Sequence, residues 1–410
     1  MAHITAVVGA GGKTSLMERL AEQYAAKNIP VAITTTTKIA SRKDRGLIRY
    51  FGKEIAPGKL AFPGEEVFRK LCAEYPYVLV EADGARHHPV KIPNDTEPVI
   101  PEDTERIIVV TGCFALQRAF GEICHRSRLA DYALLGERFP GFCADTRLTK
   151  EHLDFLAAHY YLEPLKKQYP AAKVEYFFNA PETAEAVNPL RIRNIGLVLM
   201  ASGLSSRFPS NKLLHPFRGR ELYRHGMDAL LETKARLRMR DERLSGIFAA
   251  EEARDGAEAD PLVIDAEVFA VSRFPEILAN PDYRDRVTMV DNPYYEEGIA
   301  ASVRLGLGAA KQKGCDAVLY LVADEPFFTA EHLTTLIREY LVTGKRFACA
   351  YAGYESNPAV FHISAEQELN ALQGDKGPIG IIRRNPHDAH CYIVAPETIL
   401  DIDEEKDLIS

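Results

Sequence analysis

Two stretches of this chain have the residue types and spacing to grip a polyphosphate. The first is Gly9-Ala10-Gly11-Gly12-Lys13-Thr14-Ser15, directly after the apolar run Ile4-Thr5-Ala6-Val7-Val8. The second is Ala201-Ser202-Gly203-Leu204-Ser205-Ser206-Arg207-Phe208-Pro209-Ser210-Asn211-Lys212, after Ile195-Gly196-Leu197-Val198-Leu199-Met200. Glycines let the backbone curl around an anion, Lys and Arg add positive charge, and a following helix offers unpaired N–H groups. In the first loop Gly9, Gly11 and Gly12 supply the curl, Lys13 reaches the β- and γ-phosphates, and Thr14 or Ser15 is a magnesium ligand. The spacing is compressed: a standard phosphate loop has glycine six residues before its Lys, and Val7 stands there. In the second loop Gly203 allows close backbone approach and Ser205 and Ser206 offer hydroxyls. Arg207 and Lys212 are spaced to reach different phosphates.

Carboxylates accompany both loops. Glu81-Ala82-Asp83-Gly84 ends the apolar run Tyr77–Val80, so Glu81 or Asp83 can hold magnesium through water or orient an attacking water. Asp324 ends Leu321-Val322-Ala323, and the carboxyl ends of strands are where open α/β sheets bind ligands. It is the foremost metal candidate, since the alternative role of capping the next helix suits Thr329. Thr34-Thr35-Thr36-Thr37-Lys38 either contacts phosphate or metal or is a plain strand end. The turns Ser356-Asn357-Pro358 and Gly374-Asp375-Lys376-Gly377 are candidates for binding an acceptor. Asn179-Ala180-Pro181-Glu182 lacks the Lys and Asp of a guanine-reading motif and reads as a loop.

The elements that position these residues alternate. Helical spacing runs from Thr14 to Lys27, from His152 to Gln168, from Ala301 to Lys311 and from Glu331 to Leu341. Buried-strand runs are 31–34, 77–80, 106–111, 174–178, 317–322, 347–351 and 359–362. Such alternation with continuous apolar strands predicts mostly parallel sheets covered on both faces. The fold class is therefore α/β, with two three-layer α/β/α domains, one P-loop-like and one Rossmann-like. The polar, proline-bearing stretch Asn188–Asn194 sets the boundary, giving domains 1–190 and 191–410. The charged stretch from Ala235 to Asp265 resists assignment.

Bulk properties narrow the classes. At 410 residues, 46% hydrophobic and 26% charged, the composition is that of folded domains each large enough for a core. A net charge of −8 argues against a nucleic-acid partner. Seven cysteines with no C-x-x-C pair read as reduced thiols. No apolar run approaches the roughly 18 residues needed to span a bilayer. The N-terminus enters a strand almost at once, leaving no room for a signal peptide. No membrane partner and a cytoplasmic location are expected.

The first half resembles the YqeC family, accessory proteins of selenium-dependent molybdenum hydroxylases. V-V-G-A-G-G-K-T-S-L (7–16), T-T-T-T-K (34–38), V-E-A-D-G-A-R (80–86), E-P-V-I-P (97–101) and His125-Arg126 carry the likeness. The resemblance implies a P-loop fold and a role near molybdenum cofactor. The second half resembles the MobA-like nucleotidyltransferases, and within them the MocA-type molybdenum cofactor cytidylyltransferases. The 199–212 loop, N-P-Y-Y-E-E-G-I-A-A-S-V-R-L-G-L (292–307), V-A-D-E-P (322–326), N-P-A-V-F (357–361), G-D-K-G (374–377) and D-I-D (401–403) carry it. That resemblance implies that Arg207 and Lys212 bind triphosphate, that Asp324 binds magnesium with Asp403 as second ligand, and that Ser302 and Asn357 line the acceptor side. Ser202 and Pro209 depart from the family pattern, which has a small Ala or Gly and a Gly there.

The expected function is transfer of CMP, or another NMP, from a nucleoside triphosphate to the phosphate of molybdopterin, with Mg2+ and release of pyrophosphate. ATP or GTP is expected at the first loop, and a molybdenum hydroxylase apoenzyme is a candidate partner. The alternatives are a non-catalytic, nucleotide-gated cofactor carrier and a sugar-nucleotide pyrophosphorylase.

Overall fold

The computed structural model describes residues 2–40, 42–56, 59–180, 187–203, 208, 211–240 and 262–402. The chain divides into two units, Met1–Ala180 and Pro181–Ser410. The division precedes the expected 190/191 boundary for a physical reason. Val187 and Ile192 are buried in the same core as Ile195 and Leu197. The Asn188 side chain also clasps Ile192, accepting from its N–H at 3.0 Å and donating to its carbonyl at 2.7 Å. The polar stretch thus opens the second unit and is not a linker ahead of it.

The N-terminal unit holds strands β1 (His3–Gly9), β2 (Val31–Thr35), β3 (Ile48–Tyr50), β4 (Tyr77–Glu81), β5 (Arg106–Gly112) and β6 (Lys173–Asn179). They pair in the order β6-β5-β1-β4-β2-β3, every pairing parallel. Helix α1 (Lys13–Ala26) covers one face, setting Leu16, Met17 and Ala21 on Val7, Ile33, Leu79 and Val110. On the other face α2 (Glu65–Glu74) places Phe68 against Ile4, Val78 and Val80. There too lies α3 (Lys150–Ala157), which continues through a π turn at Ala158–Leu162 into Glu163–Gln168. The single helix expected over 152–168 is thus interrupted by a widened turn, a feature that recurs near functional sites. Tyr161, inside that turn, is buried against Ala6, Val8 and Val109.

The C-terminal unit holds β7 (Asn194–Ala201), β8 (Asp265–Ser272), β9 (Thr288–Asp291), β10 (Ala317–Val322), β11 (Phe347–Tyr351), β12 (Glu355–His362) and β13 (Ala389–Ile393). Their order is β9-β8-β7-β10-β12-β11-β13, with β12 antiparallel to both neighbours and the other pairings parallel. Helices α4 (Leu222–Leu237), α5 (Ile299–Gln312) and α6 (Ala330–Thr343) make the outer layers. Leu197, Leu199 and Leu319 point to the α4 and α6 side, while Val198, Phe269 and Tyr320 meet α5. Thr329 does cap α6, its hydroxyl accepting from the His332 N–H. Both units are three-layer α/β/α, as the alternation of elements predicts. Among the described residues no helix is long and apolar enough to cross a membrane.

The α5–sheet contact is close enough to demand glycine, most closely at Gly306. A Cβ on Gly306 would lie 2.7 Å from Cγ1 of Val198, a stiff β-branched side chain. Gly308, in the same helix, would meet nothing within 4 Å. Alanine gains about 0.5–1 kcal/mol over glycine in a helix, while overpacking a core costs about 1–3 kcal/mol. Gly306→Ala should therefore lower the unfolding midpoint of the C-terminal unit in urea, and Gly308→Ala should raise it. Stabilisation by both substitutions would show that the layers yield freely.

Candidate nucleotide sites

The C-terminal site forms where β7 and β10 end side by side. Met200 pairs with Val322, and the Ala323 N–H then donates to the Met200 carbonyl at 3.1 Å, so the loop after β7 opens beside Asp324. Two hydroxyls fix that loop's start. Ser202 Oγ donates to the Val271 carbonyl at 3.2 Å and Ser272 Oγ donates to the Ala201 carbonyl at 3.0 Å. The Ser202 hydroxyl is thus bound to β8. Lys212 begins a short 3-10 turn, and its buried stem carries Nζ to 2.7 Å from Asp324 Oδ2. The same Nζ donates to the Ile402 carbonyl at 3.0 Å, and the Ile402 N–H donates to the Asp324 carbonyl at 2.9 Å. Lys212, Asp324 and the 401–402 segment therefore form one cluster. Ser205, Arg207 and Asp403 lie outside the described residues.

Glu325 is a site residue that sequence reasoning missed. It is buried, and its Oε2 has no hydrogen-bond partner among the described residues. Burial pushes its pKa well above the carboxylate range, and the charges of Asp324 and Asp401 push it further. A hydrogen bond from Asn357 opposes them. Asn357 thus sits against this turn, its own Oδ1 without a hydrogen-bond partner among the described residues. The other acceptor candidates stand differently. Ser302 is buried and its hydroxyl accepts from Asn292 Nδ2 at 3.1 Å, so it braces the residue that follows β9 and does not line an open surface. Asp375 is exposed and lies against Gly298 at the start of α5. Among the described residues no three His, Cys, Asp or Glu side chains gather to hold a metal.

In the N-terminal unit the first loop joins β1 to α1. Gly9, Gly11 and Gly12 all have positive φ, at 86°, 81° and 116°. A Cβ on Gly11 would come 2.9 Å from the Pro89 carbonyl, and one on Gly12 would come 1.9 Å from Asn179 Nδ2. Asn179 belongs to the loop's frame: its Nδ2 donates to the Gly11 carbonyl at 3.0 Å and its Oδ1 accepts from Arg19 at 3.1 Å. The reading of 179–182 as a plain loop therefore changes at its first residue. Lys13 Nζ turns back to donate to the Gly9 carbonyl at 2.9 Å, and Thr14 Oγ1 donates to Glu81 Oε2 at 3.1 Å. Burial raises the Glu81 pKa, while the Lys13 charge and the Thr14 hydrogen bond oppose it. Lys13, Thr14 and Glu81 are brought together as expected, whereas no hydrogen bond or ion pair is described for the Ser15 side chain.

Asp83 departs from its expected place as an open metal ligand. Its Oδ2 accepts from the Gly9 N–H at 3.2 Å and from the Tyr161 hydroxyl at 2.7 Å. Its Oδ1 forms a close ion pair with Lys91, and both side chains are fully buried. Lys91 also donates to the Gly84 carbonyl and to Glu97 Oε2, each at 2.6 Å, and Glu97 takes Arg126 at 2.7 Å. Asp83 is an anchor that ties the loop's first N–H to a charged chain running through Lys91, Glu97 and Arg126. The threonine run is likewise structural: Thr35 donates to the Glu81 carbonyl and Thr36 to the Val99 carbonyl, while Lys38 is exposed.

Comparison with known proteins finds a different likeness in each half of the chain. The model of the YqeC protein family matches residues 5–128, and that of the MobA-like NTP transferase domain matches residues 197–389. The uncharacterized protein YqeC of Escherichia coli (strain K12) is 32% identical over 152 residues, covering 31% of this chain and 59% of that protein. The chain thus spans about three-fifths of the length of that curated relative. Rv0371c from Mycobacterium tuberculosis H37Rv is 21% identical, with a TM-score of 0.38, over 53% of this chain and 96% of that one. Molybdopterin-guanine dinucleotide biosynthesis protein A from Archaeoglobus fulgidus is 15% identical, with a TM-score of 0.35, over 52% and 95%.

The buried charge chain gives a stability prediction. Removing one partner of a buried ion pair costs about 3–5 kcal/mol, because the remaining charge is left uncompensated. Lys91→Met should destabilise the N-terminal unit by about that amount at neutral pH, read from its urea midpoint. Burial alone would raise the Glu97 pKa, but the hydrogen bonds and charges of Lys91 and Arg126 outweigh it and hold it below the usual range. A depressed folded-state pKa means stability that is present above the unfolded carboxylate pKa and lost as pH falls through the folded one. Parent and variant should therefore converge in acid. A constant gap down to the acid limit would remove Glu97 as the cause.

Proposed function

We propose that this chain, which carries a YqeC domain in its N-terminal unit and a MobA-like NTP transferase domain in its C-terminal unit, is a nucleotidyltransferase of molybdenum cofactor maturation. The acceptor is the terminal phosphate of molybdopterin and the donor is a nucleoside triphosphate, CTP first. The observation that carries the reading is the Lys212–Asp324 pair, a cation and a carboxylate 2.7 Å apart at the mouth of the loop after β7. A triphosphate needs both signs of group there: cations for its oxygens and an acid for its divalent metal.

An oxygen of the acceptor phosphate attacks the α-phosphorus, the bond from that phosphorus to the bridging oxygen breaks, and pyrophosphate leaves with the electron pair. Little covalent chemistry falls to the protein, so positioning and charge compensation do the work. Lys212 stabilises charge on the leaving pyrophosphate, with Arg207 as its expected companion. The 201–203 backbone seats the polyphosphate. The acceptor is already ionised near neutral pH, so no general base is required. Asp324 has the hard oxygen donor that magnesium prefers, and magnesium sites commonly use one or two carboxylates plus substrate phosphates. When bound, that ion supplies charge neutralisation at the phosphates. A molybdenum hydroxylase is the proposed recipient of the product.

In the N-terminal unit Lys13 and Thr14 are proposed to hold ATP or GTP with magnesium, and Glu81 to orient a water. The Thr14–Glu81 hydrogen bond is what supports this, since it places the loop hydroxyl beside the strand-end acid.

Pyrophosphate release measured over the four nucleoside triphosphates, with molybdopterin or a sugar 1-phosphate as acceptor, tests the first reading. The parent should be active with molybdopterin and one preferred triphosphate. Asp324→Asn and Asp324→Ala should lose at least about 100-fold in turnover, the scale on which single electrostatic groups act. Activity of either variant close to the parent's would remove Asp324 from the reaction. Activity with the sugar phosphate alone would make the protein a pyrophosphorylase, and silence with every pair would leave a carrier. For the first loop, Lys13→Ala should weaken ATP or GTP binding by about tenfold or more while pyrophosphate release stays unchanged. Equal affinity in variant and parent would defeat the nucleotide assignment there.

A further inference from the structure

One buried residue ties the carboxyl ends of β7, β8 and β9 together, and the residue after it takes no part in that network. Ser272 is in register with Ala201 on one side and with Asp291 on the other. Its Oγ donates to the Ala201 carbonyl at 3.0 Å and accepts from the Phe274 N–H at 3.1 Å, and its carbonyl accepts from the Asn292 N–H at 2.9 Å. The turn that carries Arg273 is therefore held from three directions. Open α/β sheets bind ligands at the carboxyl ends of their strands, so Arg273 stands on the ligand edge, one strand from the loop after β7.

Aromatic rings place its side chain. The guanidinium carbon lies 4.3 Å from the centre of the Tyr295 ring and 4.6 Å from that of Phe274. Tyr295 belongs to the segment after β9, which Asn292 braces: Oδ1 accepts from the Tyr294 N–H at 3.1 Å, and Nδ2 donates to Ser302 in α5. Rings hold a guanidinium by its flat faces and do not use its N–H edge. Among the described residues none takes a hydrogen bond from that edge, and the buried Nε has no partner there. Arg126 and Arg224, which are also partly buried, each pair with a carboxylate. A guanidinium fixed in its plane, with its edge unspent, suits two-pronged recognition of adjacent acceptors.

The order of strands indicates which part of a nucleotide would meet it. Asp324 follows β10, on the other side of β7 from β8, and Asn357 in β12 lies further the same way. Two strand spacings, about 10 Å, separate the ends of β8 and β10. A triphosphate on the loop after β7, with its acceptor on the β12 side, leaves the β8 side for its nucleoside. Cytosine offers O2 and N3 as neighbouring acceptors, and guanine offers O6 and N7. The N3–H of uracil and the amino group of adenine each put a donor into such a pair.

We propose that Arg273 selects the base of the donor nucleotide, its guanidinium edge taking the two adjacent acceptors of cytosine, or of guanine, and discriminating against uracil and adenine. The inference rests on the transferase reading of this site and adds a specificity-determining residue to it. Cytosine is the expected base, in line with CTP as the proposed donor. Tyr295 and Phe274 are positioning residues that set the plane in which the base lies.

The test compares kcat/KM for pyrophosphate release from CTP, GTP, UTP and ATP, with molybdopterin as acceptor. The parent should favour CTP, or GTP, over UTP and ATP. Arg273→Gln should lose about tenfold or more of that preference, the scale of one bidentate base contact, mainly through KM. Arg273→Lys keeps the charge without the two-pronged edge, so it should lose the preference as well. Equal losses for all four triphosphates, or a preference retained in Arg273→Lys, would make the residue a plain charge and overturn the proposal. So would a parent that favours UTP or ATP. Calorimetric binding of the four triphosphates with magnesium, on the Lys13→Ala chain with and without Arg273→Gln, separates base selection from the reaction. A binding preference that depends on Arg273, without pyrophosphate release, would keep the assignment and defeat the transferase reading. Release with a preference indifferent to Arg273 would do the opposite, and neither release nor binding preference would remove both.

Discussion

The Lys212–Asp324 ion pair is the contact on which the C-terminal site rests. Neither residue is near the other in sequence, and the parallel pairing of β7 with β10 is what brings their segments together. The pair is only partly exposed, so its charges attract more strongly than they would at the surface, and leaving either alone would be costly. The Ile402 backbone locks both ends, taking the lysine on its carbonyl and giving its N–H to the Asp324 carbonyl. Such a pair keeps each charge compensated until a ligand that itself carries both signs takes over. The proposed triphosphate and metal would be such a ligand, its oxygens taking the place of the carboxylate beside Lys212 and its cation that of the ammonium beside Asp324. Such an exchange would conserve charge in the cleft.

The N-terminal unit solves the same problem by another route. Its loop is closed by glycines in the left-handed region, by Asn179 packed on Gly12, and by Asp83 on the Gly9 N–H. Asp83 is held in turn by Lys91 and Tyr161, so loop geometry is coupled to the buried chain that ends at Glu97 and Arg126. Buried networks of this kind are stable only when every member is satisfied. That explains why the residues between 81 and 126 serve the loop although few of them face it. It also explains why Asp83, which by its place after a strand looks like a metal ligand, is a structural anchor, and why Glu81 is left as the acid nearest Thr14.

Much of this was legible in the sequence and some was not, for reasons that differ by residue. Continuous apolar strands such as 106–111 and 317–322 announce buried parallel strands because their burial on both faces leaves no polar alternation. The turn of the first loop and the strand-end place of Asp324 were legible because glycines and strand-end acids announce such positions by their type. β8 was not: it follows a charged stretch and opens with Asp265 and Glu267, which mask its apolar half. Lys91, Tyr161 and Glu325 were not, because a buried charge is recognised by partners distant in sequence. Tyr161 meets Asp83 only through the π turn, which no spacing rule anticipates. Ser302 misled for the opposite reason: it lies in a motif, yet its hydroxyl is used by Asn292 inside the protein.

The two loops differ in what their glycines are for, and this separates preformed from ligand-completed recognition. In the first loop the protein itself forbids a side chain: φ is positive at all three glycines, and Val110, Gly112 and Asn179 occupy the space. Its curvature exists without ligand. Gly203 of the second loop is not in the left-handed region, and among the described residues nothing lies within 4 Å of where its Cβ would be. Packing and backbone strain thus give no reason for glycine there. The first loop therefore owes its glycines to the fold itself, whereas at Gly203 the described residues leave room for a side chain.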